Sequence, residues 1–322
     1  MPVPPPLLLA VPNVSEGRDA GAIKAIGEAF AAATGAPFSE RRADPPDSVR
    51  LLDTHSDADH NRSVFTLAAS PGAIADAVLS GARAAVERID VMTGPPDGQH
   101  PRVGALDVAP VVYLDPAGRG AACAEALVIA DRLGAELEVP VFLYGELAGG
   151  RTRAQLRRGG VRALAERMHR GQRGAGAAAD ADEEPLRPDF GPPRLHPSAG
   201  ATLVAAREPL VAFNLTLAAP ARGDDARRIA SLIREGGAEG LPGLRAIGVT
   251  LRGSIAQVSM NVERPLALPL ARVVEAVGRH AAVASAEIVG LVPGAALEGF
   301  PEQVPLPGFD PDHQLLEKAL GS

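Results

Sequence analysis

A single histidine, His100, stands in the run Pro95 to Asp107, PPDGQHPRVGALD, between a turn-forming stretch and an apolar one. Pro95, Pro96, Gly98, Pro101 and Gly104 exclude both a regular helix and a central strand through this run. Ala105 to Leu114, ALDVAPVVYL, follows at once and has the composition of a buried strand. A histidine on a stiff loop at a strand end can be held still with its imidazole towards a cleft. A proton-transfer catalyst needs that, because the scaffold must set both its position and its pKa. The same residues equally suit a loop histidine that satisfies a local hydrogen bond, and the stretch by itself leaves both readings open.

Other polar residues sit where loops are expected. Asn13 and Glu16 follow the short apolar run Leu7 to Val11, in PNVSEG, at the carboxyl end of a predicted strand. Open α/β sheets build ligand sites at such ends, although an asparagine there can also simply bond its own turn. His55, Asp57, Asp59 and His60 resemble metal-ligand chemistry in type. Their spacing fits neither a helical histidine pair nor a calcium loop, so a polar turn without metal is expected. His196 and Ser198 lie in a proline-stiffened extended segment, Arg187 to Gly200, whose plain alternative is a connector.

The elements that must carry these residues alternate. A strand at Leu7–Val11 leads to a helix with Asp19 as N-cap and Ile23, Ile26 and Phe30 on one face. Strands at Val49–Thr54 and Ser63–Ala69 precede a helix from Pro71 with Ile74, Val78, Ala82, Ala85 and Ile89. After the Ala105 strand come a helix containing Cys123, a strand at Val139–Tyr144 and a helix at Arg151–Arg170. The Gly/Ala-rich, then acidic, stretch at about 171–186 is expected to be mobile. The second half predicts strand Leu210–Leu217, helix Ala221–Gly236, strands Arg245–Leu251 and Ile255–Val262, helix Pro269–Ala284 and strand Glu287–Val292. A short helix at Leu315–Leu320 would close the chain. Both halves therefore read β-α-β-β-α-β. The expected class is α/β, of α+β-like organisation: two split-βαβ subdomains, 1–206 and 207–322. Each is a mixed sheet with helices on its outer face, the sheets packing face to face.

Composition narrows the function. A 322-residue chain with net charge -7 has no general attraction for nucleic acid or anionic membranes. Cys123, the sole cysteine, excludes an intramolecular disulfide or a cysteine-rich zinc site and suits a small core residue. The only lysines are Lys24 and Lys318, so Schiff-base chemistry is disfavoured while arginine forks for carboxylates are plentiful. The N-terminus lacks a basic signal region, and no apolar run spans a bilayer; a soluble cytoplasmic protein is expected.

Taken together, VPNVSEG (Val11–Gly17), DHNRSVFT (Asp59–Thr66), DGQHPRVGALD (Asp97–Asp107), PVFLYGE (Pro140–Glu146), PDFGP (Pro188–Pro192), AFNLTL (Ala212–Leu217), VSMN (Val258–Asn261) and VGLVP (Val289–Pro293) resemble the formiminotransferase family. The resemblance implies transfer of the formimino group from N-formimino-L-glutamate to N5 of tetrahydrofolate in histidine degradation, with tetrahydrofolate as co-substrate and no metal. It implies a homodimer. It makes His100 the catalytic residue and places folate on the segment after PDF, here Gly191, Pro192, Pro193, Arg194, Leu195, His196, Pro197, Ser198, Ala199 and Gly200. Animal members carry a fused cyclodeaminase, so a separate cyclodeaminase is the expected partner of this chain. The Gly/Ala-rich linker and Arg194, His196 and Ala199 depart from the family pattern.

The chemistry asks little beyond positioned proton transfer. Attack of N5 on the amidine carbon gives a tetrahedral centre; N5 must lose a proton and the glutamate nitrogen must gain one. One imidazole can do both in turn. Arg62 and Arg102 are candidates to pair with carboxylates, or equally to pin loops. Asp107 could orient His100 or cap its loop. Asn13, Asn61 and Asn214 are assigned to the substrate cleft. With eight phenylalanines, two tyrosines and no tryptophan, aliphatic walls are expected around the pterin. The alternatives are an enzyme handling 5-formyltetrahydrofolate, by formyl transfer or cyclo-ligase-like chemistry, and a folate-binding protein without turnover.

Overall fold

A computed structural model of the chain describes residues 6–32, 49–93, 101–173 and 185–321. His100 and most of the expected linker, 174–184, lie outside the described residues. Contacts divide the chain into two units, 1–207 and 208–322.

The first unit runs β1 (Leu8–Ala10), β2 (Asn13–Val14), α1 (Ala20–Ala32), β3 (Arg50–Asp57), β4 (Arg62–Ala69), α2 (Ala73–Arg88), β5 (Leu106–Tyr113), α3 (Arg119–Glu136), β6 (Val141–Leu143), α4 (Arg153–Arg157), α5 (Gly160–Arg173) and β7 (Thr202–Arg207). The strands form one seven-stranded sheet. β1 and β2 are two pieces of a single first strand, lying between β4 and β5 and antiparallel to both. β3 adds antiparallel beyond β4, while β7 and then β6 extend the other edge in parallel.

Local chemistry explains the helices. Asp19 caps α1, its Oδ1 accepting from the amides of Gly21 and Ala22 at 2.8 and 3.0 Å. Ile26 and Phe30 then bury their side chains, with the Phe30 and Phe65 rings 5.1 Å apart. Each such fully buried side chain is worth about 2 kcal/mol. Together with Leu67, Ile74, Leu106, Ile129 and Leu133 they form the core between the sheet and α1–α3.

A second cluster lies on the opposite face of the parallel part, where Phe142 and Leu203 meet Leu156, Leu164 and Met168 of α4 and α5. Parallel strands require cover on both faces, so α4 and α5 add helices beyond the outer layer expected from sequence. The anticipated single helix at Arg151–Arg170 is broken in two. Thr152 and Gln155 form a capping box that starts α4, and Gly159 at φ 71° separates it from α5, which opens on Gly160 at φ 69°. α5 then continues to Arg173, so the first residues of the expected mobile stretch are helical.

Two strand assignments also change. β3 extends through His55, Ser56 and Asp57, which pair with Val64, Ser63 and Arg62, so only positions 58–61 turn. β7 was not anticipated: its six residues, TLVAAR, follow the proline-rich segment without a break and pair in parallel with both neighbours.

The second unit comprises β8 (Val211–Leu217), α6 (Gly223–Ile233), β9 (Leu244–Thr250), β10 (Ala256–Val262), α7 (Leu270–Gly278), β11 (Val283–Val289), and the short α8 (Pro311–Gln314) and α9 (Leu316–Leu320). Its sheet, β11-β8-β10-β9, is antiparallel throughout. That follows from the split βαβ arrangement, in which the parallel partners of each unit are parted by a strand of opposite direction. The first unit repeats the order as β3-β4-β1-β5 before its parallel extension. Phe213, Leu215, Ile229, Ile233, Val258, Val273, Val277 and Ile288 form the second core. α7 stops at Gly278, not at the expected Ala284, because the Ala/Val/Ser run after it enters β11. No described helix is long and apolar enough to cross a membrane.

Candidate functional site

Two described stems flank His100 in the chain, Val91 after α2 and Val103–Ala105 before β5. Both stems hold the same turn. The Val91 amide donates to Ser198 O at 2.9 Å, the Ala105 amide to Ala199 O at 2.9 Å and the Ala201 amide to Val103 O at 2.9 Å. Gly104 and Gly200 face each other across this seam. A Cβ on Gly104 would lie 1.8 Å from Ala201 O, and one on Gly200 would lie 2.2 Å from Val103 O, with Gly200 already at φ 70°. Only glycine lets the two backbones approach so closely.

The VPNVSEG segment packs on the same stem. Ser15 donates its amide to Ala105 O at 2.9 Å and its Oγ to Gly104 O at 2.6 Å. Ser63 Oγ donates to Glu16 O at 2.6 Å, and Asn61 Oδ1 accepts from the Gly17 amide at 2.9 Å. Asn61 holds φ 46°, a left-handed conformation that asparagine tolerates. Arg102 donates to Asn61 O at 3.3 Å and lies 3.5 Å from Ser15 O, so it ties the three segments together. Asn13 bonds locally, donating from Nδ2 to Val11 O at 2.9 Å.

Charge concentrates beneath this junction. Asp107, buried in β5, accepts the Val103 amide at 2.7 Å on one oxygen and pairs with Arg157 on the other. Its described role is thus to cap the loop and neutralise α4. Arg62 lies beside it, its pKa lowered to about 10, first by burial and then by the charge of Arg157; Asp107 and Asp57 act the other way, and Arg153 adds to the lowering.

His196 is turned inward on its own turn. Its Nδ1 accepts the Ala199 amide at 3.0 Å, and its backbone exchanges hydrogen bonds with Gly200. The hydrogen of the neutral ring is therefore on Nε2. Burial lowers its pKa from 6.5, with Glu138 opposing. The earlier part of this segment lies elsewhere: Gly191 packs against Gly134 of α3, Pro193 O accepts from Gln172, and Arg194 extends to the exposed Glu138. Within Gly191–Gly200, Ser198, Ala199 and Gly200 pair with the stems of the His100 run, and Leu195 packs on the cluster that contains Val103.

Asn214 belongs to the second unit, where its Nδ2 donates to Glu287 Oε2 at 2.8 Å. Cys123 is half-buried on α3 and packs at the edge of the first core. His60 is buried, its Nε2 3.8 Å from Asp57 Oδ2. Among the described residues no three His, Cys, Asp or Glu side chains are placed to hold a metal ion.

Sequence reasoning missed Arg153, Arg157 and Tyr144. Arg153 and Arg157 are one helical turn apart on α4, and Arg153 stacks 5.7 Å from the centre of the Tyr144 ring. Their i, i+4 spacing was readable as one face, but nothing in the sequence tied that face to Asp107. The arrangement offers a glycine-seamed turn and an excess of guanidinium charge, which suits an anionic ligand.

Residues 7–207 match the family described as formiminotransferase domain, N-terminal subdomain. The chain is 35% identical over 320 residues to glutamate formimidoyltransferase of Streptococcus pyogenes serotype M1, covering 96% of this chain and 97% of that one. It is 33% identical over 321 residues to glutamate formimidoyltransferase of Thermoplasma acidophilum, covering 98% and 97%. Formimidoyltransferase-cyclodeaminase of Gallus gallus is 36% identical over 305 residues, which cover 90% of this chain and 51% of that protein.

Proposed function

The chain belongs to the formiminotransferase family and is a transferase of the formimino group, and from that premise we propose that it carries the group from N-formimino-L-glutamate to N5 of tetrahydrofolate during histidine degradation. The observation that carries this reading is the seating of turn 196–200 between both stems of the run that contains His100. The segment that the resemblance gives to folate thereby bonds to the described residues on either side, in the chain, of the run proposed to supply the proton carrier.

N5 attacks the amidine carbon, forming a C–N bond and a tetrahedral centre. His100 takes the N5 proton and returns it to the glutamate nitrogen as the old C–N bond breaks. Such positioned acid–base transfer is worth about 10²–10⁴-fold, and holding both substrates at reacting distance adds a separate term. Arg102 and Asn61 tie together the loops after β2, before β4 and before β5. Tetrahydrofolate is a co-substrate in this scheme, the protein acts as a cytoplasmic homodimer, and ring closure with ammonia release falls to a cyclodeaminase.

Mixing the purified chain with tetrahydrofolate and either formiminoglutamate or a formyl donor tests the proposal. Near-ultraviolet absorbance should change with the formimino donor. Change with the formyl donor alone would reject the assignment.

A further inference from the structure

Arg62 and Arg153 are guanidinium groups without an acceptor: no hydrogen bond or salt bridge joins either side chain to a described residue. Arg62 is half-buried, and the carboxylates near it are engaged. Asp107 holds the Val103 amide and Arg157, and Asp57 Oδ1 accepts the amides of Asp59 and His60 at 2.7 and 2.9 Å. Two further buried donors of the same corner are unmatched, the hydroxyl of Tyr144, a residue only 6% exposed, and Nε of Arg157. Folded proteins rarely leave buried donors such as these two unpaired, and an unpaired guanidinium fork fits the two oxygens of a carboxylate.

We propose that Arg62, Arg153 and Tyr144 form the seat of a substrate carboxylate, with Arg157 held beside them by Asp107. On the reading given above, that carboxylate belongs to the glutamyl group of the formimino donor. Arg153 and Tyr144 are then residues that select the donor, and α4 exists in this corner to present them.

The test uses the full chain and L-glutamate as the probe. Calorimetric titration of glutamate and steady-state kinetics are compared for the wild type, Arg153→Gln and Tyr144→Phe. Neither substitution empties the core, since Arg153 is half-buried and phenylalanine keeps the ring. Loss of one charge-assisted hydrogen bond should weaken glutamate binding and raise KM for the donor roughly tenfold in Arg153→Gln, and less in Tyr144→Phe. KM for tetrahydrofolate should stay within about twofold. Unchanged glutamate affinity in both variants overturns the proposal, as does a KM rise confined to tetrahydrofolate, which would give the seat to the folate tail. A wild type that binds glutamate through Arg153 yet transfers no formimino group keeps the seat and rejects the proposed reaction. A chain that transfers normally in both variants rejects the seat alone.

Discussion

Asp107 and Arg157 face each other as a buried ion pair, their side chains 5% and 13% exposed, and the pair joins β5 to α4. Asp107→Asn keeps an acceptor for the Val103 amide but leaves Arg157 beside Arg62 without a counter-charge. Breaking a buried pair from one side costs about 3–5 kcal/mol. Denaturant unfolding should therefore show that loss in the first unit; a loss below about 1 kcal/mol would mean that the loop and helix are held by other contacts.

Arg62 illustrates the opposite balance. A pKa lowered to about 10 from 12.5 means that the folded state carries the charged form at a cost near ~3 kcal/mol. Arg62→Gln should leave the protein as stable as the wild type, or raise Tm by a few degrees, while KM for the formimino donor rises. A variant with clearly lower Tm would show that the guanidinium stabilises the fold.

His196 should make stability sensitive to acid. Its folded pKa lies below 6.5 because burial disfavours the cation, and the neutral Nδ1 accepts the Ala199 amide. As pH falls through about 6.5 the unfolded chain gains a proton that the folded one refuses, so stability drops, whereas above that pH it is flat. Thermal unfolding from about pH 7.5 to 5 should show the slope in the wild type and a shallower one in His196→Asn. Equal slopes would assign the acid sensitivity to other groups.

His100→Ala is expected to keep the fold and folate affinity while losing turnover by about 10²–10⁴-fold. Circular dichroism, folate titration and the transfer assay on one preparation check this. Transfer near the wild-type rate would remove His100 from the mechanism.

Much of the architecture was readable because apolar period and turn residues agree along both halves. Asp19 announces α1, and Ile26 and Phe30 mark its buried face. Failures came where one local signal supports two structures. The run Ala281 to Ser285 suits helix or strand, and only its partners on β8 decide. His55 and Asp57 look like loop residues, yet an edge strand paired on one side accepts polar side chains. TLVAAR is a short run directly after a proline-rich segment that itself suits a connector, so β7 became visible only through parallel pairing with β5 and β6. In the site, the HPRVGALD motif marked the run that leads into β5, but the meeting of Arg62, Asp107 and Arg157 depends on tertiary packing that no local spacing encodes.

The close approach of Gly104 and Gly200 also bears on how such chains can diverge. Because main chain touches main chain at that junction, neither position can accept a side chain; a methyl group at either glycine would unseat 196–200.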